Sequence, residues 1–143
     1  MDYLKVLVEE IHSVVVATVD ETGHPHTAVM DMMWEDGKTV YFLTADFKPL
    51  YKRLKEDGRV EVTGMTQGAG TMDRKSISLT GQVEWIGKEH LEELLKANPY
   101  MYEIYPTEEG RSHLQVFRFK NSVGNFYDLT QLPPYQARFE IEG

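Results

Sequence analysis

The chain has 143 residues, of which 41% are hydrophobic and 27% charged, a composition typical of one soluble globular domain covering residues 1–143. Its formal net charge of −8 argues against a binding surface for nucleic acid or anionic membranes, because both need clustered Lys and Arg. It contains no cysteine, which excludes disulfides, thiolate metal sites and thiol catalysis.

The N-terminal segment is acidic and lacks the basic and apolar regions of a signal peptide. No apolar run in the chain reaches about 18 residues, so we expect a cytoplasmic protein with no membrane span. Apolar residues at Leu4, Leu7 and Ile11 have helical spacing, and Asp2 is suited to cap the helix that they predict over residues 2–12.

The next segments alternate between β-branched apolar runs and polar turns. They predict strands over residues 13–19, 25–34 and 39–44, followed by a short helix over 49–56. Pro49 falls in the first turn of this helix, where a missing N–H costs nothing, and Gly58 is expected to close it.

The second half of the chain continues in the same way. Strands are predicted over 59–66, 75–86, 114–120 and 122–129, helices over 88–97 and 100–105, and an extended or loose tail over 133–143. Gly81 inside its strand indicates a bulge or a close backbone approach. Six to seven short, mostly antiparallel strands with helices capping the ends favour an α+β β-barrel.

The most informative position is the junction between the third strand and its helix. The strand ends in a hydroxyl at Thr44, and Lys48 opens the helix four residues later. A hydroxyl, a lysine and the free N–H groups of a helix N-terminus can together hold a phosphate. Spacing alone nevertheless favours the simpler alternative, in which Thr44 caps the turn and Lys48 is solvated.

The other polar candidates are weaker. His26 and Thr27 follow a proline on the neighbouring strand, where backbone groups could meet the edge of a planar heterocycle, although lone histidines are more often structural. Arg74, Lys75 and Ser76 precede a strand and are either solvated or donors to a phosphate or carbonyl of a neighbouring subunit.

Several classes of site find no support in the sequence. The histidines are scattered and only two form a close pair, so we expect no metal site. There is no nucleophile elbow, Walker sequence or dinucleotide fingerprint, since Gly68-Ala69-Gly70 precedes a strand. One aromatic group is assigned to core and interface packing: Tyr100, Tyr102, Tyr105, Phe126 and Tyr127.

These segments, in this order and spacing, resemble the pyridoxamine 5′-phosphate oxidase-like family of FMN-binding split β-barrels over roughly residues 3–128. The resemblance is carried by Val16-Ala17-Thr18-Val19-Asp20-x-x-Gly23-x-Pro25, Val40-Tyr41-Phe42-Leu43-Thr44-Ala45, Lys48, Arg59-Val60-x-Val62 and Ser76-Ile77-Ser78-Leu79-x-Gly81-x-Val83-Glu84.

The resemblance implies a homodimer that binds FMN in two equivalent clefts between its subunits. By this likeness, one strand lies along the isoalloxazine ring with His26, Thr27, Ala28 and Val29. A second strand approaches the ring and the ribityl-phosphate with Leu43, Thr44 and Ala45. Lys48 pairs with the phosphate, and the partner subunit adds Lys75 and Ser76 to the cleft.

Two departures from the family limit this assignment. Many members carry a phosphate-binding arginine where this chain has Ala28, so Lys48 and another base such as Arg53 must compensate, or flavin binding is weak. The last strands, through Phe117-Arg118-Phe119 and Phe126-Tyr127-Asp128-Leu129, lack the Trp- and Arg-containing signature with which the true oxidase holds its vitamin substrate.

The sequence therefore predicts a small FMN-dependent oxidoreductase, other than pyridoxamine phosphate oxidase itself, that takes a small-molecule substrate or an electron donor such as NAD(P)H. Two alternatives remain open: a flavin or haem carrier or sensor without turnover, and a barrel that no longer binds a cofactor. The long acidic tail of the deazaflavin F420 suits this acidic chain poorly.

Overall fold

A computed structural model describes all residues, 1–143. It contains eight strands and five short α-helices. The strands are β1 (Ser13–Val19), β2 (Pro25–Asp31), β3 (Trp34–Glu35), β4 (Val40–Ala45), β5 (Arg59–Met65), β6 (Lys75–Gly87), β7 (Leu114–Asp128) and β8 (Tyr135–Ile141). The helices are α1 (Tyr3–Lys5), α2 (Pro49–Glu56), α3 (Leu91–Ala97), α4 (Met101–Ile104) and α5 (Glu108–Arg111).

All strands belong to one antiparallel sheet with the order β2-β1-β5-β6-β7-β4-β3, and β8 pairs with β7. The two end strands, β2 and β3, are neighbours in the chain, so the sheet curls until its ends meet at Met32 and Met33. Both methionines are buried; the Met32 N–H donates to the His12 carbonyl at 2.7 Å, and the Met33 N–H to the Tyr41 carbonyl at 3.0 Å. The split-barrel fold class predicted from the sequence is confirmed.

The long strand β7 positions most of the barrel. One edge pairs with β6 from Val116 to Asp128, while the other edge pairs first with β4 and then with β8. The sequence predicts two strands here, but β7 continues through Asn121, which adopts φ 47°. Asparagine tolerates the left-handed region better than most residues, so this backbone conformation does not end the strand.

Three further predictions are changed by the structure. Residues 25–34 form two strands because the chain bends at Met32 and Met33, and the tail expected to be loose forms β8. The N-terminal helix is α-helical only over α1 and continues as a π-helix, Val6–Ile11. The Asp2 cap is confirmed, since its carboxylate accepts the Lys5 N–H at 3.2 Å.

Two glycines allow strands and turns to approach closely. A Cβ on Gly81 would lie 2.0 Å from the Ser122 hydroxyl, and the β6–β7 register shifts at this position, as the sequence predicts. Gly58 does not cap α2, whose C-cap is Asp57. A Cβ on Gly58 would instead lie 2.3 Å from the Val83 carbonyl oxygen, so this glycine lets the turn pack on β6.

The core has two parts. A larger cluster fills the barrel between its strands and the buried side of α2, and includes Phe42, Leu54 and Phe117. A smaller cluster lies outside β4, where α3 and α4 cover Leu43 and Ala45. Every residue of β4 is buried, so the last residues of this strand, which lie between the two clusters, have little conformational freedom. None of the helices is long and apolar enough to cross a bilayer.

Candidate functional site

A groove lies where the end of β2, the end of β4 and α4 come together. We call it the β4 groove; it has a volume of about 220 Å³ and is mainly apolar. Five residues singled out by the sequence line it, together with Ile104 of α4: Val29, Leu43, Thr44, Ala45 and Lys48. The strand end and the helix start identified from the sequence therefore do lie at one site.

Thr44 is the most unusual residue of this groove. Its side chain is buried, with the residue 3% exposed, and its Oγ1 has no hydrogen-bond partner. The capping role favoured by spacing alone is therefore wrong, because a cap would accept a backbone N–H. A buried hydroxyl without a partner costs free energy, so Thr44 Oγ1 is suited to hydrogen-bond a ligand that enters the groove.

Lys48 provides the cation of the groove. It is the N-cap of α2 with an extended backbone, and its side chain makes no cap hydrogen bond. The side chain is exposed and takes part in none of the ion pairs of the structure. An unpaired ammonium beside an unpartnered hydroxyl, at a helix N-terminus, can bind an anionic group such as a phosphate.

The first half of β2 is occupied by other contacts. His26 Nε2 lies 2.8 Å from the Asp20 carboxylate, whose other oxygen accepts the Thr22 hydroxyl at 2.6 Å. Thr27 is exposed, and Ala28 packs against the barrel core. These three predicted residues therefore do not line the β4 groove of their own protomer.

The Asp20 carboxylate has a lowered pKa because it accepts hydrogen bonds, first from Thr22 and then from His26. A carboxylate whose pKa is lowered by folding stabilises the protein at pH values above its ordinary pKa of about 3.9. This stabilisation is lost as the pH falls toward the pKa of the folded state. We expect Asp20→Asn to lower the unfolding midpoint at pH 7, with a difference from wild type that shrinks between about pH 4 and pH 2. Thermal unfolding across this pH range tests the prediction. The control is Glu21→Gln: Glu21 is exposed and forms no side-chain hydrogen bond, so this substitution should change the unfolding midpoint little.

A second depression, the outer cavity, lies on the outer face of the sheet and has a volume of about 670 Å³. Its lining includes Val15, Val29, Thr63, Met65, Arg74 and Ser76. Val29 lines both the outer cavity and the β4 groove, so the two sites adjoin. Lys75, the neighbour of Ser76, lies 3.6 Å from Glu10 in an ion pair.

Arg53 does not line the β4 groove. Its Nε donates to the buried Thr18 hydroxyl at 2.8 Å, which holds α2 against β1. Whether Arg53 compensates for Ala28 stays a prediction. Lys48 is then the cationic residue in the groove lining.

A polar network beside the groove is not visible in the sequence. The Tyr100 hydroxyl donates to Asp31 at 2.8 Å and lies 2.9 Å from His12 Nε2, while the Ser13 hydroxyl donates to the other Asp31 oxygen at 2.7 Å. Burial and the hydrogen bond to Asp31 raise the pKa of Tyr100. The network ties the start of α4 to β1 and β2, so Tyr100 does more than pack.

Removal of the Tyr100 hydroxyl should leave both His12 and Asp31 without this partner. We expect Tyr100→Phe to lower the free energy of unfolding by about 1–2 kcal/mol, the range for a hydrogen bond to a charged group that is partly exposed. Urea unfolding measures this change. Tyr102→Phe is the matched control because the exposed Tyr102 hydroxyl forms none of the hydrogen bonds that hold α4; an equal loss in both variants would contradict the assigned role.

The curled antiparallel sheet and its flanking helices define a split-barrel protein. Residues 2–127 match the sequence model of the pyridoxamine 5′-phosphate oxidase family, so the chain belongs to this family. A search of curated protein sequences found no match to it.

Solved structures with the same fold carry different functional names. A NimC/NimA family protein from Clostridium acetobutylicum superposes with a TM-score of 0.74 at 20% identity, covering 97% of this chain and 93% of that one. A haem-binding protein from Mycobacterium smegmatis has a TM-score of 0.73 at 13% identity, and the superposition covers 97% of this chain and 57% of that one. A pyridoxamine 5′-phosphate oxidase-related, FMN-binding protein from Nostoc punctiforme has a TM-score of 0.64 at 12% identity, with 90% of this chain and 80% of that one covered. At these identities the likeness concerns the fold.

Proposed function

We propose that this protein binds FMN in the β4 groove and is a small oxidoreductase. The observation that carries the proposal is the buried, unpartnered Thr44 Oγ1 beside the unpaired Lys48. In the bound state the Thr44 hydroxyl donates to a phosphate oxygen and Lys48 neutralises the phosphate charge. FMN, when bound, supplies the capacity for two-electron transfer.

The groove of one protomer is too small for the whole cofactor. Its volume of about 220 Å³ is below the roughly 300–1,000 Å³ of typical ligand pockets. Beside it, the outer face of the sheet exposes Val15, Val29 and Met65, with Val29 72% exposed. An apolar patch of this kind is typical of an interface, so we propose a homodimer in which a second copy completes the cleft.

In this dimer, the ring of the cofactor lies along β2 of one copy, at His26, Thr27, Ala28 and Val29. Leu43 and Ala45 provide the apolar wall beside Thr44, and Lys75 and Ser76 face the cleft from the partner subunit. The proposal places the dimer in the cytoplasm and gives it a small-molecule substrate or an electron donor such as NAD(P)H. Ser76 and Val29 lie on the same outer face of the sheet, with β1 and β5 between their strands, so a second copy docked on this face could bring its Ser76 to Val29 of the first.

The reaction proposed is not oxidation of pyridoxamine phosphate. The last strands, through Phe117-Arg118-Phe119 and Phe126-Tyr127-Asp128-Leu129, lack the Trp- and Arg-containing signature of that oxidase. A second candidate, haem carriage, is suggested by the similar Mycobacterium smegmatis structure, but no histidine lines the β4 groove to ligate an iron.

Absorbance titration with FMN, FAD, F420 and haem tests the cofactor assignment. FMN should bind most tightly, and anaerobic addition of NADH or NADPH should bleach the bound flavin, with colour returning when an acceptor is added. Binding without bleaching would indicate a carrier or sensor. Sedimentation velocity should give a dimer; a flavin-loaded monomer would contradict the shared cleft.

A further inference from the structure

Three polar side chains lie in a row between the β4 groove and a second cavity. Asp31 lines the groove, and its carboxylate accepts a hydrogen bond from the Tyr100 hydroxyl at 2.8 Å. The same hydroxyl lies 2.9 Å from Nε2 of His12. His12 lines a cavity of about 440 Å³ beside the π-helix, which we call the π-helix cavity. The buried Met33 lines both spaces, so the row of hydrogen bonds connects two adjoining cavities.

The hydrogen bonds of this row need one proton more than its groups ordinarily carry. Nδ1 of His12 lies 3.0 Å from the Val8 carbonyl, which can only accept, so Nδ1 carries the ring proton of a neutral imidazole. Nε2 and the Asp31 carboxylate are then both acceptors, and the single Tyr100 hydroxyl proton lies between them. Both hydrogen bonds form only when one further proton is present.

This further proton has two places in the row, one at each end. On Nε2 of His12 it makes an imidazolium that donates to Tyr100 and lies 3.5 Å from the Asp31 carboxylate. On Asp31 it reverses both hydrogen bonds, so that Asp31 donates to Tyr100 and Tyr100 donates to His12. In passing from the first state to the second, the Nε2–H bond breaks as an O–H bond forms at Tyr100, and the original Tyr100 O–H bond breaks as one forms at Asp31. One proton moves from the imidazolium to the carboxylate, and no electron is transferred.

Tyr100 is suited to the middle of this row. Burial and the hydrogen bond to Asp31 raise the pKa of its hydroxyl, so this group gives up one proton only as it receives another. The Ser13 hydroxyl donates to the second Asp31 oxygen at 2.7 Å and fixes the carboxyl group in place. Other titratable groups line the two cavities around the row: Glu9, Glu35, Lys48 and Tyr105. No Lys or Arg lines the π-helix cavity, so a proton that enters there from water meets no repelling charge.

We propose that His12, Tyr100 and Asp31 form a proton relay that takes a proton from the π-helix cavity and delivers it to a ligand in the β4 groove. Asp31 is the residue of the relay that meets the ligand, while Tyr100 and His12 act through Asp31. After each delivery, His12 regains a proton from water. The inference rests on the proposed function, because the reduction of an organic substrate by two electrons consumes protons that a positioned acid can supply. The substrate class is one that takes up protons together with electrons, such as a quinone.

Two electron acceptors with different proton requirements test the relay in the FMN-loaded protein. Benzoquinone takes up two electrons and two protons, whereas ferricyanide takes up one electron and no proton. After reduction with dithionite, we expect Tyr100→Phe and Asp31→Asn to slow reoxidation by benzoquinone roughly tenfold or more in stopped-flow measurements, and to leave the ferricyanide rate close to wild type. Tyr102→Phe is the matched control and should change neither rate, since the Tyr102 hydroxyl lies outside the relay. Equal losses with both acceptors would overturn the relay.

Imidazole ¹⁵N NMR of the apoprotein tests the proton count without any cofactor. We expect the neutral form of His12 at high pH to carry its proton on Nδ1, because the Val8 carbonyl faces this nitrogen. A neutral ring with its proton on Nε2 would donate to Tyr100 without a further proton, and this result would overturn the inference. Asp31→Asn should weaken proton binding at His12 by roughly threefold or more. His113, paired with Asp46 at 2.8 Å, should titrate as in wild type and serves as the internal control.

These two measurements separate the relay from the proposed function. If FMN binds but the variants slow both acceptors or neither, the relay is overturned and the proposed function stands. If the wild-type protein fails to bind FMN, the proposed function is overturned, and NMR of the apoprotein still decides whether His12 and Asp31 share a proton.

Discussion

Lys48→Ala is expected to weaken FMN binding by about 1.5–3 kcal/mol, which is roughly a tenfold to 150-fold increase in Kd. The reason is that Lys48 is the cationic residue in the lining of the β4 groove, where neither Ala28 nor Arg53 lies. Fluorescence titration of the apoprotein with FMN gives the two dissociation constants. The loss should decrease at high ionic strength, since salt screens a charge that is exposed to solvent.

Lys52→Ala provides the matched control for this measurement. Lys52 lies one helical turn further along α2, is exposed, and lines neither the β4 groove nor the outer cavity. Its removal changes the net charge by the same amount and should leave the FMN affinity within about twofold of wild type. Equal losses in both variants would show a general charge effect, and no loss at Lys48 would place the phosphate elsewhere.

Phe117→Ala should cost the barrel about 3–5 kcal/mol of unfolding free energy, the range for deleting a buried aromatic side chain. Phe117 is fully buried near the start of β7, with its ring 5.7 Å from Phe42 and 6.1 Å from Tyr51. These contacts join β7, β4 and α2, so the cavity left by the substitution lies between all three elements. Since typical domains are stable by only about 5–15 kcal/mol, we expect the variant to unfold on mild heating.

Urea unfolding of Phe117→Ala and Phe47→Ala makes this comparison direct. Phe47 is 65% exposed, so the same chemical change there should alter stability by about 0.5 kcal/mol or less. A lower midpoint with an unchanged m-value in Phe117→Ala would indicate lost packing in an otherwise native fold. Similar stabilities for the two variants would mean that the core does not depend on this contact.

The sequence predicts most of the barrel because the signals are local. Alternation of β-branched residues identifies the strands, Pro49 marks the start of α2, and Gly81 marks the irregularity between β6 and β7. The tail was harder to assign, because β8 forms through its pairing with Ser122–Asp128 and carries no strong pattern of its own. Asn121 has a conformation that usually ends a strand, yet the partners on both sides of it keep β7 continuous.

The site shows the same division between local and long-range information. Thr44 and Lys48 are close in sequence, so their spacing indicates an anion site, although it does not reveal that the Thr44 hydroxyl lacks a partner. The bond between Tyr100 and Asp31 joins residues 69 positions apart and depends on how α4 packs. Arg74 stands out in the sequence only as part of the run Arg74-Lys75-Ser76, and the buried, unpartnered state of its Nε becomes visible only in the structure.

The walls of the β4 groove differ in how easily they can change. Two of them are strand ends held in the hydrogen-bonded sheet, and the third is α4, a helix of four residues with Tyr102 and Ile104 facing solvent. Substitutions in this short helix can reshape the space above the anion site at little cost to the barrel. Under the proposed function, a change of ligand choice is therefore easiest at α4, while the strand ends stay fixed in the sheet.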